Sequence, residues 1–301
     1  MLSAQYPEFS QFFANPLYLN PAMAGTSEKS ENAAGRASLN YRLKWPTLSG
    51  GFRTSCASWD QGYDKLHGGI GVQYVNEITP NNILSKNEIH GIYSFRFQFG
   101  DSSKNIFYSG IQVSASNWNW EYLQYNSNNP SKNPPIPVKE FILVPNTSIG
   151  FLMCYPKFNF GAAIHNLFEP SVSITYPEII IDRKYTLHWG YQFQLLHAKW
   201  DIQPQACYIK QGKSSQLQFG GIFNYKFLQG GIWMRQVFQV NHELDAAIFH
   251  VGIQNNNYRI LYSYDKQISD GIISKYVSHE VSLAYRWKTK QKKYRGNNLI
   301  F

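Results

Sequence analysis

Lys184-Tyr185-Thr186-Leu187-His188-Trp189-Gly190-Tyr191-Gln192-Phe193-Gln194-Leu195-Leu196 is the stretch on which the fold turns. Every second residue from Tyr185 to Leu195 is apolar, and those between are Thr, His, Gly and Gln. Side chains alternate across a β-strand with period two, so one face of this segment is apolar and the other polar but almost uncharged. The pattern recurs at Tyr93, Phe95, Phe97 and Phe99, at Phe158, Phe160, Ala162 and Ile164, at Leu217, Phe219, Phe223, Tyr225 and Phe227, and at Val281, Leu283, Tyr285 and Trp287. From Ala33 onward the template predicts about fourteen strands, near residues 34–44, 50–60, 67–76, 85–99, 104–116, 146–156, 158–166, 184–196, 198–211, 214–226, 229–240, 243–255, 257–266 and 277–288. Helical spacing is confined to two short candidates, residues 7–13 and 118–125.

Composition fits this pattern. Of 301 residues, 16 % are aromatic and only 16 % charged, yet the mean hydropathy is −0.38. A disordered chain would be poor in aromatics and rich in charge. No run of about 18 apolar residues exists, so a helical membrane span is excluded. A soluble sandwich, the rival fold, would carry Lys and Glu on its outer face. Here the non-apolar positions are Gly, Ser, Thr, Asn, Gln and His, and the apolar positions carry Phe, Tyr, Trp and Leu. That division fits an all-β, transmembrane antiparallel β-barrel, in which lipid covers the apolar face and closure satisfies every strand edge.

Residues 1–32 show no alternation and are read as an N-terminal plug segment. Their aromatic side chains would not be left in water, and a barrel of this width has a lumen to fill. The motif positions are Phe9, Phe12, Asn15, Pro16, Tyr18, Asn20 and Pro21. Residues 33–288 form the barrel, and 289–301 a basic C-terminal tail. Arg286, Lys288, Lys290, Lys292, Lys293 and Arg295 supply part of the net charge of +9. They are read as a solvated run after the last strand, with no nucleic acid as partner. At the other end, Leu2-Ser3-Ala4-Gln5 resembles the residues around a signal-peptidase cut, the expectation being an exported chain whose leader is missing or removed.

No catalytic signature is present, and the chain is read as a non-enzyme without cofactor or metal. There is no Gly-x-Ser-x-Gly elbow, and Gly68-Gly69-Ile70-Gly71 falls in a strand rather than opening a helix. Cys56, Cys154 and Cys207 are far apart, and the eight His have no metal-ligand spacing. Ser278-His279-Glu280 invites a hydrolase reading, but adjacent strand residues point to opposite faces. Tyr264, Asp265, His279 and Glu280 are read instead as a barrel polar network where the last strands meet.

The opening Gln5-Tyr6-Pro7-Glu8-Phe9-Ser10-Gln11-Phe12-Phe13-Ala14-Asn15-Pro16-Leu17-Tyr18-Leu19-Asn20-Pro21-Ala22-Met23-Ala24-Gly25 strongly resembles the start of the PorP/SprF family, outer-membrane proteins of the type IX secretion system of Bacteroidota. Asn40-Tyr41-Arg42 with Trp45-Pro46, Gly68-Gly69-Ile70-Gly71, and Tyr264-Asp265 with Ser278-His279-Glu280-Val281-Ser282-Leu283 fit the same family. The resemblance implies a fourteen-stranded barrel related to fatty-acid-transporter-like barrels, and a role in secretion, gliding or surface attachment of adhesins. It implies as partner a secreted protein carrying a type IX C-terminal signal domain, or other secretion components such as the translocon, beside outer-membrane lipid. The stretches from Asn117 to Pro145 and from Leu167 to Arg183 match no family motif and are the candidate partner-binding loops. The alternative function is a channel for a small hydrophobic molecule.

Overall fold

The computed structural model describes residues 9–26, 33–99, 105–124, 136–172, 179–194, 200–238, 244–268 and 276–288. The basic tail and the residues before Phe9 lie outside these; Arg286, read with the tail as solvated, is instead buried on the last strand, where alternation turns it inward. The strands are β1 (Ala33–Lys44), β2 (Phe52–Tyr63), β3 (Gly68–Ile78), β4 (Leu84–Gln98), β5 (Ile106–Gln124), β6 (Ile136–Cys154), β7 (Phe158–His165), β8 (Lys184–Tyr191), β9 (Phe193–Gln194), β10 (Trp200–Gln211), β11 (Ser214–Tyr225), β12 (Leu228–Val237), β13 (Leu244–Gln254), β14 (Tyr258–Gln267) and β15 (Val277–Lys288).

Apart from β8 and β9, which do not pair with each other, strands adjacent in sequence pair antiparallel, and β1 pairs with β15, which closes the sheet into a ring. Both β8 and β9 pair with β10, so they are two pieces of one wall position and the barrel has fourteen. The break falls at Gln192, whose N–H donates to Lys157 O at 2.8 Å, on the β7 side.

Two surfaces follow from the period-two pattern. On β1, Leu39 and Tyr41 point outward and are exposed, while Arg36, Ser38, Asn40 and Arg42 point inward and are buried. On β4, Ile89, Tyr93, Phe95 and Phe97 are exposed, while Lys86, Glu88, His90 and Ser94 are buried. A soluble protein does not expose a continuous apolar belt of this kind, whereas lipid solvates it. Among the described residues no helix is long and apolar enough to cross a membrane; the strands do that.

The two ends of the barrel differ. Short connections join β2 to β3, β6 to β7, β11 to β12 and β13 to β14 at the end where β1 begins and β15 finishes. In outer-membrane barrels the short turns are periplasmic and the longer connections extracellular. At the far end β5 and β6 run 19 residues each. A tilted membrane crossing takes about ten residues, so this hairpin stands clear of its neighbours.

Here the structure corrects the sequence reading. The stretch from Asn117 to Pro145 is not one loop: residues 117–124 and 136–145 are strand, and residues 118–124 of the helix candidate at 118–125 are the upper part of β5, its last residue lying outside the described ones. The signal was present, since Trp118, Trp120 and Tyr122 alternate, but the Asn and Pro around them masked it. The other helix candidate is reduced to a 3-10 turn at Phe12–Ala14, followed by a single α-helical turn, α1 (Pro16–Leu19), with Pro16 at a position that needs no N–H.

Candidate functional site

Residues 9–26 lie against inward-facing side chains all round the ring. Phe9 packs edge-on against Tyr18 at 5.1 Å and joins Cys56 and Val75. Phe12 and Phe13 meet Trp233, with ring centroids at 5.1 and 5.3 Å, and all three are buried. Lys184 sets its ammonium 4.4 Å from the Tyr18 ring. Asn15 precedes α1 and is buried. Asn20 makes the most specific contacts: its Nδ2 donates to Phe151 O at 2.9 Å and Ala162 O at 3.2 Å, and lies 3.1 Å from His188 Nε2. Its Oδ1 accepts from Ala22 N–H at 2.9 Å, which fixes the turn begun by Pro21.

Glycines in the wall make room for this segment. A Cβ at Gly150 would fall 2.0 Å from Asn20 Oδ1, and one at Gly110 would fall 2.3 Å from Ala22 N. Only a residue without a side chain lets the two backbones approach this closely. Gly25 ends the segment at φ +72°, a left-handed conformation that suits glycine, and donates its N–H to Asp60 at 2.8 Å.

Toward the far end from Phe12 the segment is held by charge. Arg42 Nη2 pairs with Asp265 at 2.8 Å and Nη1 with Glu280 at 3.0 Å. Ser10 N–H donates to Glu280 at 2.7 Å, and the Ser10 hydroxyl sits between Arg42 and Asp265, bonded to both. Gln11 donates to Ser263 Oγ and Glu280 O, each at 3.1 Å, and accepts from Ser282 Oγ at 2.5 Å. Arg235 bridges Asp245 at 2.8 Å and Asp265 at 3.7 Å. Buried charges are tolerated where partners and hydrogen bonds meet them, as here.

Of the four residues read as one polar network, the structure brings Asp265 and Glu280 together and sets Tyr264 and His279 apart. Their alternation along β14 and β15 sends the carboxylates inward; His279 faces outward, 2.8 Å from the Tyr262 hydroxyl, with its ring 5.6 Å from that of Tyr264. Arg42 and Arg235 complete the inner group. Neither is marked by a local motif, because their partners lie on other strands.

At the far end, the two stretches singled out as candidate loops meet. Trp118 and Val144 form a small core with Val172 and Ile181, against which Trp120, Ile142 and Ile179 pack. Trp120 Nε1 donates to Val172 O at 3.2 Å, and Leu167 N–H to Thr147 O at 3.0 Å. Above Ile149, β6 has β5 as its strand partner, while its β7 ladder covers only Ile149 to Cys154. Phe141 and Leu143 on this stretch are 61 % and 65 % exposed. Among the described residues, no group of three or more His, Cys, Asp or Glu is placed to hold a metal ion.

Solved structures share the barrel. The chain superposes on one described as the CymD monoaromatic hydrocarbon channel with a TM-score of 0.54 at 8 % identity, covering 92 % of this chain and 93 % of that one. A Pseudomonas aeruginosa FadL homologue gives 0.51 at 12 % identity, over 89 % and 92 %. The Pseudomonas putida toluene transporter TodX gives 0.51 at 9 % identity, over 94 % of each. At such identities the likeness is one of fold. No curated protein matches the chain. The model of the type IX secretion system membrane protein PorP/SprF family matches residues 1–285, nearly the whole chain, and this outer-membrane barrel therefore belongs to that family.

Proposed function

We propose that this barrel is a non-catalytic docking protein of the type IX secretion machinery. It receives a secreted surface protein, through that protein's C-terminal signal domain, on the extracellular end. The observation that carries this reading is the β5–β6 hairpin. Eight or so residues beyond a membrane crossing correspond to about 25 Å of strand, and the core with Val172 and Ile181 stiffens it. Its upper β6 edge offers backbone groups and exposed Phe141 and Leu143 to an added strand, a mode in which main-chain bonds supply affinity and alternate side chains specificity.

In the same reading, residues 9–26 act as a plug that closes the lumen. The contacts to Glu280, Trp233, Gly110, Gly150 and Asp60, on strands spread round the ring, support it. A channel for a small hydrophobic molecule is the second reading, favoured by the fold shared with a hydrocarbon channel and a toluene transporter. A filled lumen weighs against it. The family is one of secretion-system membrane proteins rather than a known enzyme family, which supports a binding role.

The test is co-purification from native membranes in mild detergent. A secreted protein should travel with the full chain and be lost when residues 126–137 are deleted. Undiminished capture both by the deletion variant and by a Phe141→Asp, Leu143→Asp variant would remove the hairpin from the interface.

A further inference from the structure

A second charged group lies on the inner wall at the short-turn end, and its charges do not balance. Arg36 on β1 stands in register with Arg286 on β15 and with Asp60 on β2. Arg259 on β14 stands opposite Ala284, two residues from Arg286 on the same face. Such diagonal neighbours lie within reach of long side chains. All three arginines are buried, 2 %, 2 % and 3 % exposed for Arg36, Arg259 and Arg286.

Asp60 is, among the described residues, the one carboxylate in register with this row, and it is already engaged. Arg36 grips both its oxygens, at 2.9 and 3.0 Å, and Gly25 N–H adds a third bond. Arg286 Nη2 and Arg259 Nε are buried without a hydrogen-bond partner. Among the described residues, three guanidiniums against one carboxylate leave an excess of two positive charges. A buried cation without a counter-charge is costly. A carboxylate would neutralise half of the excess and a dianion all of it. The planar donor fork of arginine matches phosphate-type oxygens bidentately.

We propose that Arg36, Arg259 and Arg286 form a luminal binding site for a doubly charged oxyanion of phosphate size, entering from the periplasmic mouth. The guanidiniums point to the lumen, away from the lipid-facing wall, so the ligand is free phosphate or sulfate rather than a lipid headgroup.

The experiment uses the full chain in neutral detergent, unfolded by heat under tryptophan fluorescence, with phosphate, sulfate or chloride at matched ionic strength. Phosphate and sulfate should raise the midpoint and chloride should not. Arg259→Gln should lose most of that response while unfolding no earlier than wild type in chloride, since it removes an uncompensated charge. Equilibrium dialysis of labelled phosphate against the unmodified chain should show saturable binding near one per barrel, competed by sulfate, and Arg286→Gln should weaken it at least about tenfold, equivalent to about 1.4 kcal/mol. Equal stabilisation by chloride, an unchanged phosphate response in Arg259→Gln, or no saturable binding to wild type would overturn the site. Stabilisation by phosphatidic acid in nanodiscs but not by free phosphate would place recognition on the lipid side and overturn it equally.

Discussion

Two charged groups share the inner wall of this barrel, about half a strand apart, and they are closed in opposite ways. Around Arg42, the cations Arg42 and Arg235 meet the carboxylates Asp245, Asp265 and Glu280, and Ser10 and Gln11 add hydrogen bonds from the N-terminal segment. Around Asp60, three arginines meet one carboxylate, and the segment contributes a single backbone N–H. The first group is matched in charge by carboxylates of the chain itself, although Arg42 Nε and Asp265 Oδ1 lack a hydrogen-bond partner among the described residues, and it ties the segment to the wall. The second keeps donors to spare. The same residue type on the same wall thus serves as a structural clamp in one place and as an unsaturated donor set in the other, and the balance of nearby carboxylates decides which.

Substitutions should separate the two groups. Arg42→Met strips Asp265 and Glu280 of their main partner and leaves buried carboxylates behind, so it should cost about 3–5 kcal/mol. Urea midpoints of the barrel in detergent would measure this, and residues 9–26 should become open to protease. If the barrel is no weaker and the segment stays protected, the clamp assignment is wrong. Arg36→Gln takes two bonds from Asp60 but also relieves repulsion within the arginine row. Its loss should be smaller, about 1–3 kcal/mol, read from the same midpoints; a loss equal to that of Arg42→Met would erase the distinction between the groups. Smallest, and opposite in sign, is Arg259→Gln, which should leave the barrel as stable or gain about 1 kcal/mol at low salt. A clear destabilisation there would show that Arg259 is satisfied after all.

Much of the fold could be read from the chain because alternation is a local signal. Tyr185, Leu187 and Trp189 declare one lipid-facing strand without reference to any other, and fourteen such runs add up to a barrel. The clamp was half legible. Asp265 and Glu280 stand near the end of the chain in recognisable words, whereas Arg42 and Ser10 reach them only through the ring, and no spacing rule connects residues more than 200 positions apart; Arg235 lies two strands before Asp265 with no motif to mark it. Tyr264 and His279 show the reverse failure: close in sequence to the network, they are turned to the other side of the wall by the same alternation that builds it. The upper hairpin was hidden by composition. Asn, Pro and Ser suggest loop, but Pro137 and Pro145 sit on a strand that, among the described residues, has no second strand partner there, so that a missing N–H is tolerated.

If the N-terminal segment shuts the lumen, as proposed, the barrel is a docking protein and not a conduit. Planar-bilayer recording tests it most directly. The full chain should give no steady conductance at any voltage, while a variant lacking residues 9–26, or carrying Arg42→Met, should open large, lasting pores. A full-length barrel that conducts as freely as the truncated one would contradict the account.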